Sequence, residues 1–207
     1  MGTTLGEILA QQACVRPEAV AIVDARPGRE KRLTFAGLEG EVAAAARELS
    51  VLGLRRGDGV LVFVPMSAEL YVALLAMFRL GVVALFLDPS AGREHLGQCC
   101  ARWAPRALFA VPKAHLLRLG SAALRRIPIK LAPGGWVPGA RTWPGGSQAL
   151  PLAHARSHEE REAGAAALVT FTSGSTGVPK AAVRTHGFLV AQHRVLAPSI
   201  ALAAGEV

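Results

Sequence analysis

Nine consecutive residues combine hydroxyl groups, glycines and a lysine in a pattern that suits an anion. They are, in order, Thr172, Ser173, Gly174, Ser175, Thr176, Gly177, Val178, Pro179 and Lys180. The glycines allow the backbone to turn several N–H groups toward one point, and such a nest of donors binds anions. The hydroxyls add donors for phosphate oxygens, and Lys180 adds a positive charge. This hydroxyl–glycine segment (residues 172–180) therefore predicts a cradle for a polyphosphate.

The spacing of the glycines and the lysine differs from that of the common P-loop. That motif needs a glycine, four residues and then Gly-Lys-Ser/Thr, whereas Gly174 and Gly177 are three residues apart and Lys180 is three further on. A flexible Ser/Gly linker is the alternative. A linker does not explain why the segment follows an apolar strand predicted at residues 167–171 and leads into a helix predicted at residues 186–196. We therefore favour phosphate binding.

The hydroxyl–glycine segment, followed by Thr185 and His186, resembles the signature loop of the adenylate-forming superfamily. This superfamily includes acyl-CoA synthetases, luciferases and the adenylation domains of peptide synthetases. The resemblance covers nearly the whole chain, because further residues occur in the family's order. These are Thr34, Phe35 and Leu38, the turn at residues 53–58, and residues 65–70 and 81–89. The chain is most similar to fatty acyl-CoA synthetases and to the related β-lactone synthetases of olefin biosynthesis.

The resemblance implies a two-step reaction. A carboxylate attacks the α-phosphate of Mg-ATP to give acyl-AMP and pyrophosphate, and a thiol, commonly that of coenzyme A, then displaces AMP. Backbone N–H groups of residues 174–177 are expected to hold the β- and γ-phosphates, together with the hydroxyls of Thr172, Ser173, Ser175 and Thr176. Thr176 is also expected to contact Mg²⁺, and Lys180 to offset charge on the leaving pyrophosphate. The expected partners are ATP and a carboxylic acid, with a fatty acid as the favoured class.

The resemblance also sets expectations about what lies outside this chain. In the family, the segments that hold adenine and ribose, the hinge and the C-terminal domain with its catalytic lysine all follow the signature loop. None of them is expected before Val207, so no catalytic residue is assigned. The alternative function is a nucleotide-binding fragment that binds ATP weakly without turnover. A third hypothesis is an interaction protein that retains only the fold.

One residue within the motif departs from the family's pattern. Ala181 stands where the family usually has a glycine after Pro-Lys. Alanine is tolerated at this position if its backbone torsions are ordinary, because only a positive φ favours glycine strongly. The substitution bears on how closely the backbone of this segment can approach a nucleotide.

The elements that must position this segment alternate between strand and helix patterns along the chain. Strands are predicted at residues 19–23, 60–64, 82–87, 107–111, around 129 and at 167–171, and helices at 5–16, 34–52, 67–80, 92–103, 114–124, 157–162 and 186–196. Such alternation predicts an α/β domain with a mostly parallel sheet and helices on both faces, the partial N-terminal domain of the adenylate-forming fold. Residues 27–32 are expected to form a charged turn.

Glycine and proline pairs divide the chain into three parts. We expect a first α/β subdomain at residues 1–131, a Gly/Pro-rich connection at 132–157 and a part carrying the hydroxyl–glycine segment at 158–207. Trp136 and Trp143 lie in the connection, where a loop folded back on the core by its aromatic side chains is favoured over a ligand platform.

The apolar content raises the question of a membrane span. The hydrophobic fraction is 51% and the mean hydropathy is +0.34, but the longest wholly apolar run in the richest stretch covers only residues 70–78, and a spanning helix needs about 18 to 20 residues. Residues 1–10 lack the pattern of a signal peptide. We therefore expect no transmembrane segment and a cytoplasmic location.

The net charge of +8 raises nucleic acid as a partner. The basic residues occur singly or in pairs without a long run, so a solvated surface is favoured and nucleic acid is not expected. Three cysteines, of which Cys99 and Cys100 are adjacent, match neither a disulfide framework nor a zinc pattern. We expect the adjacent pair to serve as small apolar residues in a helix.

Three polar sites outside the segment have alternative interpretations. His186 is either an acid or base or, as favoured here, a structural residue at a helix start. His193 is expected to be exposed on the same helix. The sequence Asp88-Pro89-Ser90 fits a site at the end of a strand and a helix-initiating turn equally well.

Overall fold

The structure is a computed structural model that describes residues 4–26, 29–88, 90, 92–144, 163–172 and 179–200. Its strands are β1 (Val20–Arg26), β2 (Arg29–Thr34), β3 (Gly59–Phe63), β4 (Val83–Phe86), β5 (Ala107–Ala110), β6 (Ile129–Ala132), β7 (Arg141–Thr142), β8 (Ala166–Thr172) and β9 (Lys180–Thr185). Its helices are α1 (Leu5–Val15), α2 (Phe35–Val51), α3 (Ala68–Leu80), α4 (Arg93–Trp103), α5 (Pro112–His115), α6 (Leu117–Gly120), α7 (Ala122–Arg126) and α8 (His186–Ser199).

A mostly parallel sheet forms the centre of the described fold. Its strand order is β7-β6-β5-β3-β4-β8-β9, and every neighbouring pair is parallel except β8 and β9. Because the parallel strands point the same way, the carboxyl ends of β3, β4, β5, β6 and β8 all lie at one edge, here called the carboxyl edge. The predicted fold class is confirmed.

Helices cover both faces of this sheet because its strands are apolar on both sides. In β3, Val60 and Val62 pack with α2 and α3, whereas the alternate residues Leu61 and Phe63 pack with α4 and α7. Side chains of a strand alternate between faces, so a strand buried on both sides must be apolar throughout. The near-continuous apolar strands of the sequence therefore build two cores, one on each face.

The predicted helix starts are confirmed by their caps. Thr4 and Glu7 form a capping box at α1, and the hydroxyls of Thr34 and Ser67 accept hydrogen bonds from the first turns of α2 and α3. These bonds satisfy N–H groups that have no partner inside the helix. Gly81 ends α3 in the left-handed conformation with φ 70°, a torsion that costs glycine little.

The turn predicted at residues 27–32 is wrong for its second half. Residues 29–34 form β2, which pairs antiparallel with β1 in a separate two-stranded sheet. Glu30 and Arg32 form a surface ion pair, while Leu33 is buried. Glu30 and Arg32 thus lie on the solvent side of a short two-stranded ribbon. Because charged residues are frequent at residues 29–32, the sequence does not show the pattern of a strand there.

Two more predictions about the middle of the chain need correction. The helix predicted at residues 114–124 is broken into α5, α6 and α7. Ser121 separates α6 from α7, because it adopts an extended conformation and its hydroxyl accepts a hydrogen bond from Leu124 N in the first turn of α7. The connection predicted from residue 132 onward contains β7, which pairs with β6 over two residues. So short a strand has no periodicity to recognise. The helix predicted at residues 157–162 lies outside the described residues.

The two tryptophans of the connection have opposite environments. Trp143 is fully buried, donates from Nε1 to the Ala45 carbonyl oxygen at 3.3 Å and lies edge-on to Phe109. Trp136 is 85% exposed. The prediction that these aromatics fold the loop onto the core is therefore confirmed for Trp143 and wrong for Trp136.

The remaining sequence-based expectations concern cysteines and membranes. Cys99 is buried in α4 and Cys100 is half-buried beside it, as expected for small apolar residues in a helix. Within the described ranges, none of the helices has both the length and the apolar character required to traverse a bilayer.

Candidate functional site

The hydroxyl–glycine segment begins at the carboxyl edge of the sheet. Strand β8 ends at Thr172, and it runs parallel to β4 with Leu85 opposite Val169. Ligands of open α/β sheets bind outside the carboxyl ends of the strands. Thr172 therefore lies where this class of fold places its ligands.

Strand β9 returns the chain to the same place. It pairs antiparallel with β8 so that Lys180 lies opposite Thr172, and both residues are exposed, whereas Pro179 is buried. The structure thus brings together the hydroxyl and the cation at the two ends of the segment. The sequence analysis did not predict a strand at residues 180–185, and it missed that Lys180 begins one.

The middle of the segment is beyond what the structure describes. Ser173, Gly174, Ser175, Thr176 and Gly177 all lie outside the described residues. Their predicted phosphate contacts, and the predicted contact of Thr176 with Mg²⁺, stay predictions.

The two strands that hold the segment are joined by a side-chain contact. Arg184 on β9 donates from Nη1 to Thr170 Oγ1 on β8 at 2.8 Å. Phe171 is buried in the core on the α4 side of the sheet, and Ala181, its partner in the register, packs against the same core. These contacts fix the ends of the segment on a rigid hairpin, which suits a precisely oriented ligand.

Ala181, the departure from the family's pattern, lies inside β9. Among the described residues other than glycine, a positive φ occurs only at Ala104, so the condition under which alanine is tolerated at position 181 is met. Its methyl group occupies a half-buried strand position. Alanine is therefore accommodated here without strain.

Asp88 lies two residues after β4, next to β8 at the carboxyl edge. Its Oδ1 accepts hydrogen bonds from Ser90 N at 2.8 Å and from Ser90 Oγ at 2.7 Å. Both bonds lower the pKa of the Asp88 carboxyl, and the bond from the Ser90 hydroxyl is the larger cause. This geometry is that of a local turn ahead of α4, which favours the helix-initiating interpretation; Pro89 lies outside the described residues.

A buried charged network that sequence reasoning missed lies near the same edge. The Asp24 carboxylate accepts two hydrogen bonds from Arg26 and one from Ala68 N at the start of α3, and Arg26 also contacts Glu69 at 2.8 Å. The network ties β1 to α3. In the sequence, Asp24 and Arg26 come just before the charged residues that were assigned to a turn. Only their spacing of two residues, which places both side chains on the same face of β1, indicates that they form a pair.

His186 lies at the other end of β9, away from Thr172. Lys180 begins β9 and His186 directly follows its last residue, a distance of roughly 20 Å at the rise of a β-strand. His186 is buried and packs edge-on against Phe78 with 5.5 Å between ring centroids. The structural interpretation of His186 is therefore favoured, and His193 is exposed on α8 as predicted.

No group of three metal-ligating side chains (His, Cys, Asp or Glu) is placed to hold a metal ion within the described part of the chain. Mg²⁺ at nucleotide sites is bound through one or two protein oxygens together with phosphates and water. The predicted role of the Thr176 hydroxyl as a single oxygen ligand is of this kind, and it stays a prediction.

Comparison with known proteins decides the family. The profile of the AMP-binding enzyme family matches residues 9–204. This chain belongs to that family. The predicted membership in the adenylate-forming superfamily is thereby confirmed.

Curated relatives of this family member extend well beyond its length. An olefin beta-lactone synthetase of Stenotrophomonas maltophilia is 32% identical over 96% of the chain and 38% of the relative. A salicyl-AMP ligase / salicyl-S-ArCP synthetase of Mycobacterium tuberculosis is 30% identical over 100% of the chain and 37% of the relative. The chain thus spans under two fifths of the length of these relatives.

Solved structures support the same fold for this family member. The apo structure of Mycobacterium smegmatis MbtA matches with a TM-score of 0.76 and 26% identity, over 99% of this chain and 38% of that one. Acetoacetyl-CoA synthetase from Streptomyces lividans matches with a TM-score of 0.78 over 99% of this chain and 34% of that one. At 22% identity, the second match bears on the fold alone.

Proposed function

We propose that this protein uses ATP to activate a carboxylic acid as an acyl-AMP and then transfers the acyl group to a thiol such as that of coenzyme A. One observation carries the proposal. The family match over residues 9–204 includes a hydroxyl- and glycine-rich segment whose ends, Thr172 and Lys180, pair at the carboxyl edge of the sheet.

The first step of this reaction requires groups that stabilise negative charge on the phosphate oxygens. A carboxylate oxygen attacks the α-phosphorus, the bond to the bridging oxygen breaks, and pyrophosphate leaves with the electron pair. Negative charge collects on phosphate oxygens, so oriented N–H groups, hydroxyls and a cation supply most of the acceleration. In this proposal, backbone N–H groups of residues 174–177 and the hydroxyls of Thr172, Ser173, Ser175 and Thr176 hold the β- and γ-phosphates.

Lys180 and Thr176 have distinct roles in this proposal. Lys180 is exposed at the start of β9, across from Thr172, where its ammonium group offsets the charge of the leaving pyrophosphate. Thr176 contacts the Mg²⁺ that ATP brings. In the second step the thiol sulfur bonds to the acyl carbon and AMP leaves.

The proposal also specifies which class of carboxylic acid is activated. We propose a fatty acid, supported by the resemblance to fatty acyl-CoA synthetases. The names of the relatives differ in this respect, because they include an olefin beta-lactone synthetase and a salicyl-AMP ligase. A panel of acids from short to long chains, with an aromatic acid added, distinguishes these cases.

Acid-dependent exchange of labelled pyrophosphate into ATP tests the first step. We expect exchange with at least one acid of the panel, and a loss of roughly 10²-fold or more in Lys180→Ala if Lys180 stabilises the charge that develops on pyrophosphate. Lys31→Ala is the matched control, because Lys31 forms only a surface ion pair with Glu41. No exchange with any acid, or equal exchange in the wild type and Lys180→Ala, contradicts the proposal.

The alternative function is nucleotide binding without turnover. Binding of ATP without exchange, in the protein as it occurs naturally, would favour the alternative over the enzyme.

A further inference from the structure

The positive charge of this protein is concentrated in one part of the chain. Residues 95–158 contain nine Lys and Arg residues and no Asp or Glu. The other residues contain 14 Lys and Arg against 15 Asp and Glu, so they are close to neutral. Basic residues are spread along the chain, but acidic ones are excluded from this stretch, which therefore carries the whole net charge.

The described part of this stretch builds one side of the sheet. It includes β5, β6 and β7 and the short helices α5, α6 and α7 between β5 and β6. Among its basic residues, Lys113, Arg125 and Arg126 are exposed, and Arg118 and Lys130 are half-buried. The charge therefore reaches the surface.

Large apolar side chains stand exposed among these charges. Leu116 is 63% exposed, Leu119 is 79% exposed and Trp136 is 85% exposed. A single exposed leucine is ordinary, but three bulky apolar residues exposed within one cationic part of the chain are not. We call this set the basic–apolar face. It comprises Lys113, Leu116, Arg118, Leu119, Arg125, Arg126, Lys130 and Trp136.

Contacts between backbone and side chains join these residues into one surface. Arg118 Nη1 donates to the Pro138 carbonyl oxygen at 3.1 Å, which fastens α6 to the loop that carries Trp136. Arg125 donates to the Arg118 and Leu119 carbonyl oxygens, and Lys130 donates to the Arg125 carbonyl oxygen. The exposed side chains are therefore held by a connected scaffold.

Leu116 and Leu119 also line an open groove. It has a volume of about 410 Å³ and lies between the start of α4 and residues 116–121, and Arg93, Leu96 and Leu117 are among its lining residues. The face thus offers both projecting apolar side chains and an apolar depression with a cationic wall.

We propose that the basic–apolar face docks this protein on an anionic lipid bilayer. Leu116, Leu119 and Trp136 enter the headgroup region, and the surrounding Lys and Arg residues contact lipid phosphates. Tryptophan is suited to this boundary because its ring is apolar and its N–H polar. Basic residues around apolar side chains bind anionic membranes by combining burial with electrostatic attraction. Because the face is positively charged, it should bind anionic lipid more tightly than neutral lipid.

The position of the face is consistent with this role. The α5 helix follows β5, and the Trp136 loop follows β6, so both begin at the carboxyl edge where the hydroxyl–glycine segment lies. Arg126 precedes β6 and Lys130 is its second residue, so the face runs from the carboxyl edge toward the opposite edge, and its end with Lys113 and Trp136 is the one on the side of the proposed acid-activating site. The membrane proposal does not depend on the proposed function, since it concerns only this face.

Cosedimentation of the purified protein with vesicles tests the proposal. Vesicles of phosphatidylcholine are compared with vesicles of equal parts phosphatidylcholine and phosphatidylglycerol, at low ionic strength and at roughly 0.5 M salt. We expect binding to the anionic vesicles alone, weakened by salt, with a blue shift of tryptophan fluorescence that disappears in Trp136→Ser.

Paired charge reversals separate this face from general charge attraction. Lys113→Glu with Arg126→Glu should weaken vesicle binding at least tenfold, because each basic residue near an anionic bilayer contributes about 1 kcal/mol. Arg47→Glu with Arg194→Glu changes the net charge equally at exposed residues of α2 and α8 and should leave binding close to that of the wild type. Arg118 is kept because it also contacts His115 Nδ1 at 3.4 Å.

Several outcomes would overturn the proposal. They are absence of binding to anionic vesicles, equal weakening by both pairs of reversals, and unchanged binding in Leu119→Ser with Trp136→Ser. Binding to RNA or to polyglutamate without binding to vesicles would assign the face to a nucleic acid or an acidic protein instead. Thermal unfolding of each variant, matched to that of the wild type, verifies that it is folded.

Discussion

At the scale of single residues, Asp24 shows how one carboxylate links two elements. It is buried, and it accepts hydrogen bonds from Arg26 Nε at 2.7 Å, from Arg26 Nη2 at 2.6 Å and from Ala68 N at 2.9 Å. The Arg26 hydrogen bond is the largest cause, and the Ala68 N–H the next, of a pKa lowered to about 2 from the ordinary 3.8. The negative charge also lies at the N-terminus of α3, where the helix dipole favours it.

The lowered pKa predicts how stability depends on pH. A carboxyl whose pKa is depressed in the folded state stabilises that state above its unfolded pKa, and this stabilisation is lost as the pH falls through the folded value. Asp24→Asn should therefore lower the free energy of unfolding at neutral pH, and the difference from the wild type should shrink between about pH 4 and pH 2. Urea unfolding across this range measures it.

Glu30→Gln provides the control for this prediction. Glu30 pairs with Arg32 at the surface, with both side chains more than half exposed, so its replacement should change stability little at any pH. Equal stability of Asp24→Asn and the wild type at neutral pH would show that the network does not stabilise the fold.

At the scale of elements, Gly59 sets how closely β3 approaches α4. A Cβ atom at this position would lie 2.6 Å from Trp103 Cδ1 and 2.7 Å from Leu85 Cδ1, both well inside van der Waals contact. Gly59→Ala should therefore destabilise the fold by about 1–3 kcal/mol through overpacking. Gly97→Ala is the control: Gly97 lies within α4 with open space around it, and alanine should stabilise the helix by up to about 1 kcal/mol. Chemical denaturation compares the two, and the reverse order would contradict the packing described here.

Trp143 anchors the segment after β6 to α2. It fills a fully buried position between Phe109 and the Ala45 carbonyl oxygen, so Trp143→Ala should cost about 3–5 kcal/mol of the unfolding free energy. Trp136→Ala should change it by no more than about 0.5 kcal/mol, because Trp136 is exposed. Similar losses in both variants, measured by denaturant unfolding, would contradict the assignment of a single anchor.

Most of the large elements were predictable because their signals are local. Thr34 and Ser67 mark helix starts, Gly81 marks a helix end, and apolar runs such as residues 60–64 mark buried strands. The strands β2, β7 and β9 were not predictable in this way, because they are stabilised by pairing with a neighbour rather than by their own pattern. The separation of α6 from α7 likewise depends on one extended residue, Ser121.

The candidate site was predictable in its composition but not in its placement. The residue types of the hydroxyl–glycine segment indicate phosphate binding without any structure. That Lys180 begins a strand opposite Thr172, and that His186 lies at the far end of that strand, follows only from the register of β8 and β9. Register depends on contacts across strands, which a single sequence does not display.

At the scale of the whole molecule, the parallel strands gather the functional candidates at one edge. The hydroxyl–glycine segment follows β8, the Asp88 turn follows β4, and the Asp24 network contacts the helix that follows β3. The basic–apolar face begins after β5 and β6 at the same edge. A parallel sheet places all these loops on one side without any of them being close in sequence.

Binding of MgATP tests the central claim, that the hydroxyl–glycine segment holds the triphosphate of a nucleotide. Thermal unfolding is measured with and without MgATP for the wild type, Lys180→Ala and Lys31→Ala. At ten times its dissociation constant, a ligand that binds only the folded state stabilises it by about 1.4 kcal/mol, which raises the unfolding temperature by about 3–6 °C for a chain of this size. We predict this rise in the wild type and Lys31→Ala and its loss in Lys180→Ala. An unchanged unfolding temperature in the wild type, or an equal rise in all three proteins, would contradict the claim.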